Sequence, residues 1–154
     1  ITGNWQVMAN VSLQIIREYL IADSSDALYT DVGERIDTLG MFDGDKTRLN
    51  DQAHIVMTRR GGADTDRLTT ARPFVRFDIF SGRGRISEDS SGAFRCMEIY
   101  ENLKTRLHNV NGKTTTSGFI ISAYEQQPPQ DLIDPDTQWP FVLAFYDIHT
   151  RDLS

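Results

Sequence analysis

The sequence contains a single cysteine, Cys96, among 154 residues. One thiol excludes an intramolecular disulfide framework and any zinc site built from several cysteines. Cys96 lies beside the apolar residues of a predicted helix, where a thiol behaves as a small hydrophobic side chain. With 39% hydrophobic and 25% charged residues, the chain can bury an ordinary core. We therefore expect residues 1–154 to form one domain without covalent cross-links.

Long apolar runs are also missing from the chain. None approaches the roughly 18–20 residues that a membrane-spanning helix requires. The first residues, Ile1–Trp5, lack a basic segment followed by an apolar one, the pattern of a signal peptide. We therefore expect no membrane partner.

Basic residues are in deficit, with 16 lysines and arginines against 22 aspartates and glutamates, a net charge of -6. This balance argues against a protein that binds nucleic acid by neutralising its phosphates. An acidic surface does suit a protein past which DNA must slide without binding, because like charges repel.

Recognisable catalytic and metal-binding motifs are absent. There is no G-x-S-x-G segment, and the three histidines form no H-x-x-x-H pair. Asp43-Gly-Asp45 with Asn50-Asp51 resembles an oxygen-rich calcium loop but lacks the EF-hand spacing. The sequence therefore predicts no catalytic residue, no bound metal and no cofactor.

One segment keeps an enzymatic alternative open. Gly82-Arg-Gly-Arg85 lies between a predicted strand and a predicted helix, where backbone amides together with Arg83 and Arg85 could hold a phosphate. It lacks the complete P-loop and dinucleotide-binding patterns. A turn that needs glycine explains it more simply, so a phosphate- or nucleotide-binding enzyme is the less favoured hypothesis.

Two helices are indicated by apolar residues at helical spacing. The first includes Val11 to Leu20 and ends near Asp23–Asp26, where capping and turn residues cluster. The second covers roughly Ser90 to Leu107. Its predicted apolar stripe comprises Phe94, Met97, Tyr100, Leu103 and Leu107, with Cys96 and Ile99 beside it.

Alternating patterns indicate four main strands. These strands are His54–Thr58, Arg72–Phe80, Phe119–Tyr124 and Trp139–His149. Shorter extended segments are indicated at Leu28-Tyr29 and Arg35-Ile36, and long loops at Thr38–Gln52 and Glu125–Gln138. The predicted fold class is α+β, with an antiparallel sheet of about four strands and two helices packed on one face.

The second of the four main strands also predicts which residues meet other subunits. In Arg72–Phe80, Val75, Phe77 and Ile79 share one face, while Phe74 and Phe80 share the other. We expect the first face in the core and the second against a neighbour. Loops that are long, polar and rich in turns are also expected to make contacts. The candidate contact residues are Asp43, Asp45, Lys46, Phe74, Phe80, Asp134 and Asp136.

The order of these elements resembles the tail-terminator, or tail-completion, proteins of long-tailed bacteriophages, also called minor tail or neck proteins. The segments that carry the resemblance are Leu13–Leu20, Asp26–Ile36, Ala71–Phe80, Tyr100–Leu107 and Asp131–Trp139. Each is weakly specific alone, and their order carries the resemblance. It extends over nearly everything from Leu13 to Arg151.

The resemblance implies a noncatalytic structural protein of the virion, located at the head–tail junction and assembled in the bacterial cytoplasm. In proteins similar to this one, subunits form a ring, usually a hexamer, on the head-proximal end of the tail tube. The implied partners are further copies of the chain, the tail tube protein and the connector or stopper protein of the head. DNA would only pass through the lumen. A head-completion (stopper) protein and a small adaptor that forms no ring remain alternatives.

Overall fold

The computed structural model describes residues 2–38, 52–64, 70–83, 87, 89–108, 110–135 and 138–152. Three helices lie in these ranges: α1 (Thr2–Ile21), α2 (Ala27–Val32) and α3 (Ser91–Leu107). The six strands there are β1 (Ile36–Thr38), β2 (His54–Asp64), β3 (Thr70–Phe80), β4 (Asn111–Thr114), β5 (Gly118–Ile133) and β6 (Pro140–Asp152).

The strands form a single mixed sheet in the order β1-β2-β3-β6-β5-β4, curved into a half-barrel. Strand β1 runs parallel to β2, and every other neighbouring pair is antiparallel. The predicted fold, a sheet of about four antiparallel strands with two helices, is therefore wrong. The added strands, β1 and β4, have only three and four residues, which is too short for an alternating pattern to be recognised.

The third helix, α2, replaces the extended segment predicted at Leu28-Tyr29. Asp26 caps this helix, because its carboxylate accepts a hydrogen bond from the Leu28 backbone amide. The helix ends at Gly33, whose φ of 56° is a left-handed value that glycine adopts easily. Strand β1 follows at once and pairs in parallel with β2, so α2 leads directly into the edge strand β1.

The core lies between the helices and one face of the sheet. Val75, Phe77 and Ile79 are completely buried there, which confirms the prediction from their alternation. Strand β6 contributes Val142, Ala144, Tyr146 and Ile148 to the same core, and the Phe77 and Tyr146 rings meet edge to face with centroids 5.7 Å apart. Cys96 is also fully buried, as predicted, and burial raises the pKa of its thiol to about 11.

Side chains of α1 and α3 make hydrogen bonds and an ion pair to the segment from α2 to β1. The Asp31 carboxylate of α2 forms an ion pair with Arg95 and accepts a hydrogen bond of 2.5 Å from the Asn102 side chain, both residues of α3. From α1, Arg17 donates hydrogen bonds to the Ile36 and Glu34 carbonyls at 2.6 and 2.9 Å. The segment from α2 to β1 is therefore fixed from both sides.

The predicted loop at Glu125–Gln138 is mostly strand, because β5 continues to Ile133 and pairs with β6 through a bulged register. Strand β4 pairs only with residues 119–122 of β5, so within the described ranges the later half of β5 forms an edge of the sheet. Pro128 and Pro129 fit there because an edge position need not donate a hydrogen bond. The predicted loop at Thr38–Gln52 lies outside the described residues except at its two ends.

Candidate assembly surface

The face of the sheet that points away from the helices is the candidate functional surface, and we call it the open face. Because side chains alternate along a strand, the neighbours of Val75, Phe77 and Ile79 must point to this face. Cross-strand pairing extends it to β6 and β5. Its residues include Arg72, Phe74, Arg76, Asp78, Phe80, Tyr124, Leu132, Phe141, Leu143, Phe145 and Asp147, together with Val56, Thr58 and Arg60 of β2.

One end of the open face is covered by the chain itself. The Phe80 and Phe141 rings stack with centroids 5.4 Å apart and an interplanar angle of 24°. Val56 and Trp139 pack against them, and Phe80 is only 7% exposed. Little of Phe80 is left for a neighbouring subunit, so its main role within the described residues is to close a small second cluster.

The other end of the open face carries exposed apolar side chains. Phe74 is 41% exposed and Tyr124 is 62% exposed, whereas Leu132, which is 39% exposed, pairs with Phe141 at the covered end. Phe74 and Tyr124 each pair with Asp147 of β6, so the two rings flank the same position from opposite sides. Aromatic side chains presented on a rigid sheet are the anchors that protein interfaces favour.

Charged residues lie between these apolar ends. Arg76 and Asp78 form a two-pronged ion pair with N–O distances of 2.7 and 3.2 Å, and Arg72 contacts Asp147 at 3.2 Å. Burial raises the pKa of Asp78, and the Arg76 guanidinium offsets this shift only in part. The Asp147 carboxylate is 14% exposed whereas Arg72 is 58% exposed. The open face therefore presents guanidinium groups outward and keeps its carboxylates beneath them.

The predicted contact residues fall into three groups. Phe74 and Phe80 share the open face, as their spacing predicts, but only Phe74 is substantially exposed. Asp134 lies at the tip of the β5–β6 hairpin, where its carbonyl accepts a hydrogen bond of 2.8 Å from the Gln138 amide. Its charge also raises the pKa of Asp78. The other predicted contacts, Asp43, Asp45, Lys46 and Asp136, lie outside the described residues.

Some exposed apolar residues were not predicted as contacts. Leu132 lies in the segment that the sequence predicts to be a loop. Tyr124 is the last residue of the predicted strand Phe119–Tyr124. Phe94 was assigned to the apolar stripe of the second helix, and this assignment is wrong, because Phe94 is 71% exposed. The buried side of α3 comprises Gly92, Cys96, Ile99, Tyr100, Leu103 and Leu107. At 100° per residue, Phe94 points almost directly away from Cys96.

The segment considered for phosphate binding has a structural explanation. Gly82 has a φ of 77°, and a Cβ there would lie 2.5 Å from the Gln52 carbonyl carbon, so the turn needs glycine. Arg83 is exposed and donates a hydrogen bond of 2.6 Å to the Ser91 hydroxyl, while Arg85 lies outside the described residues. Across the ranges that the structure describes, no three potential ligand side chains come together at a metal site.

Comparison with known proteins gives a match of fold. No protein-family model matches the sequence, and no curated protein matches it significantly. Within the described ranges, no helix has the length and apolar character needed to span a bilayer. A solved chain from the virion of a native gene transfer agent particle superposes with a TM-score of 0.62 at 11% identity, over 94% of this chain and 97% of that one. The two chains therefore share a fold over almost their whole lengths.

Proposed function

We propose that this chain is a noncatalytic structural protein of a phage-like virion. The observation that carries the proposal is the end-to-end match of fold to a chain from a gene transfer agent virion. Agreement over nearly all of both chains supports a shared architectural role more strongly than a match to one embedded motif would. The proposed partners are other proteins of the same virion.

We further propose that the chain forms a ring, hexameric as in similar tail terminators, which caps the head-proximal end of the tail tube and joins it to the head connector. The order of sequence segments that resembles tail terminators supports this location. The exposed aromatic residues of the open face supply a surface for neighbouring copies. The net charge of -6 suits a lumen through which DNA passes without binding.

Assembly without the protein tests this function. Particles produced in its absence should carry tail tubes that continue to polymerise, and negative-stain images should show tails longer than those of the complete particle. Tubes of normal length beside heads that have lost their DNA would instead support a stopper in the neck. Particles with normal tails, filled heads and intact junctions would contradict both assignments.

A nucleotide-binding assay addresses the enzymatic alternative. If the chain is only structural, a panel of nucleotides should leave its melting temperature unchanged. A saturable increase that disappears in Arg83→Ala would favour the phosphate-binding hypothesis. Lys113→Ala is the control for a lost positive charge, because Lys113 is exposed. Arg106→Ala would be unsuitable, because the Arg106 side chain donates a hydrogen bond to the Tyr19 carbonyl.

A further inference from the structure

The solvent side of α3 carries a second exposed apolar site. Phe94 is the most exposed of the large apolar side chains in the described residues, at 71%. Glu98 and Glu101 follow at i+4 and i+7, the spacing that places side chains on one side of a helix, and both are exposed. We call Phe94, Glu98 and Glu101 the α3 stripe. It combines one aromatic anchor with two carboxylates.

The α3 stripe and the open face lie on opposite sides of the protomer. The buried side of α3 packs on the core face of the sheet, so the stripe points away from the sheet. The open face is the reverse side of that same sheet. If two copies met through identical surfaces, each copy would bury either its stripe or its open face and leave the other exposed. Head-to-tail contacts repeated around a ring bury both surfaces of every copy.

Charge distinguishes the two surfaces further. On the open face, Arg72 is 58% exposed and Arg60 is exposed close enough to Asp78 to lower the pKa of that carboxyl. The stripe offers Glu98, which is 49% exposed, and Glu101. The ion-pair partner of Glu98 among the described residues, Arg95, is distant at 3.9 Å. Opposite charges therefore face outward on the two sides, which favours the head-to-tail pairing over contacts between like surfaces.

The shapes are compatible as well. Phe74 and Tyr124 stand on strands separated by β6, and two strand spacings amount to about 9.5 Å. Aromatic rings pack with centroids roughly 4.5–7 Å apart, so a third ring that lies above Asp147, between the outer ends of Phe74 and Tyr124, can contact both. The Phe94 ring is the one exposed on α3.

We propose that the α3 stripe of one copy docks on the open face of a second copy, with Phe94 between Phe74 and Tyr124 and the stripe carboxylates facing Arg72 and Arg60. This inference rests on the proposed function, because it identifies the two surfaces that join neighbouring subunits of the ring. A head-to-tail contact of this kind forms a closed ring when its rotation divides the circle evenly.

Two charge-introducing variants of the full chain test the contact. Phe94→Asp disables the stripe and Phe74→Asp disables the open face, and each should weaken self-association at least about tenfold, as expected for an interface anchor. Tyr124→Asp, at a 62% exposed position, is a second open-face variant should Phe74→Asp perturb the strand. Ser24→Asp, at an exposed turn, is the control for added charge and should associate like the wild type.

Mixing the variants distinguishes a head-to-tail contact from a symmetric one. An equimolar mixture of Phe94→Asp and Phe74→Asp retains one intact stripe and one intact open face. Sedimentation velocity should therefore show a dimer that does not extend, although each variant alone remains monomeric. Circular dichroism of each variant checks that its fold is retained.

Three outcomes would overturn the inference. These are a Phe94→Asp chain that assembles like the wild type, a mixture that stays monomeric while the wild type assembles, and a wild type that stays monomeric at every concentration tested. None of them bears on tail length in particles made without the protein. Normal tails in those particles would remove the proposed function even if the contact between copies were present.

Discussion

Individual phenylalanines of β3 have different roles although they are close neighbours in sequence. Phe77 is completely buried against the helices, Phe80 is 7% exposed beneath Phe141, and Phe74 is 41% exposed. Their burial assigns Phe77 to the main core, Phe80 to the smaller cluster on the open face, and Phe74 to the surface. Each role predicts a different effect of truncation.

Phe77→Ala should lower the free energy of unfolding by about 3–5 kcal/mol, because it leaves a cavity in a fully packed core. Phe74→Ala should change it by less than about 1 kcal/mol, since the side chain is already largely hydrated. Urea denaturation of the monomeric protein measures both. Equal losses for the two variants would show that Phe74 is covered within the chain and would remove it as a subunit contact.

A pH-dependent contact joins α1 to the turn before β5. Partial burial by itself raises the pKa of Glu18, but hydrogen bonds from the Ser117 hydroxyl at 2.7 Å and the Ser117 amide at 2.8 Å outweigh it, and the net pKa is lowered. A carboxyl whose pKa is lower in the folded than in the unfolded state stabilises the fold at pH values above the unfolded pKa. That stabilisation is lost as the pH falls through the folded pKa.

Ser117→Ala should therefore reduce stability by about 1 kcal/mol at neutral pH, because one hydrogen bond to a partly exposed carboxylate is lost. The difference from the wild type should shrink below pH 4.5, the ordinary pKa of the glutamate. Urea denaturation at pH 7 and at pH 3 compares the two proteins. A difference that stays constant between these values would contradict the role of the ionised Glu18.

At the scale of elements, the short helix α2 depends on its neighbours. Six residues are too few for a stable isolated helix, and Asp31 ties this one to Arg95 and Asn102 of α3. Asp31→Ala should cost about 2 kcal/mol, because hydrogen bonds to a charged group are lost and their donors stay partly buried.

Hydrogen exchange can test this coupling directly. The amides of α2 and β1 should exchange faster in Asp31→Ala than those of β3 and β6, because the segment from α2 to β1 would open before the central strands. Thr30→Ala, which changes an exposed residue of the same helix, is the matched control. Uniform acceleration throughout the chain would indicate that the segment from α2 to β1 does not open independently.

The central elements could be predicted from the sequence because their patterns are strong. Val75, Phe77 and Ile79 alternate with polar neighbours, and Cys96 to Leu107 repeats at helical spacing. Strand β1 was indicated only by the short extended segment at Arg35-Ile36, because its three residues carry no periodicity. The polar residues and prolines of Gln126–Ile133 read as a loop because that strand lies at a solvated edge, where packing does not select apolar side chains.

The candidate surface was predictable only in part. Phe74 was identified because strand alternation places it opposite the core. Phe94 was misplaced because it fits the helical spacing of the other apolar residues but lies on the side of α3 that is not buried. Choosing the stripe centred on Cys96 would have left Phe94 on the solvent side. Tertiary packing, and not the local spacing, determines which of two overlapping stripes faces the sheet.

At the scale of the whole molecule, one sheet with its helices confined to a single side presents two unlike outer surfaces. One combines exposed aromatics with arginines, and the other combines Phe94 with glutamates. Such a protomer is suited to repeated head-to-tail association. This asymmetry is what the proposed ring requires of each subunit, because every copy must contact two neighbours through unlike surfaces.

The mass of the assembled protein tests this account most directly. Native mass spectrometry of the chain released from isolated tails, and of the concentrated chain in solution, gives the number of copies in the assembly. The account predicts a closed species of six copies, each of 17.5 kDa, bound at one end of each tail. A protein that is monomeric in both samples, or absent from the tails, would contradict it.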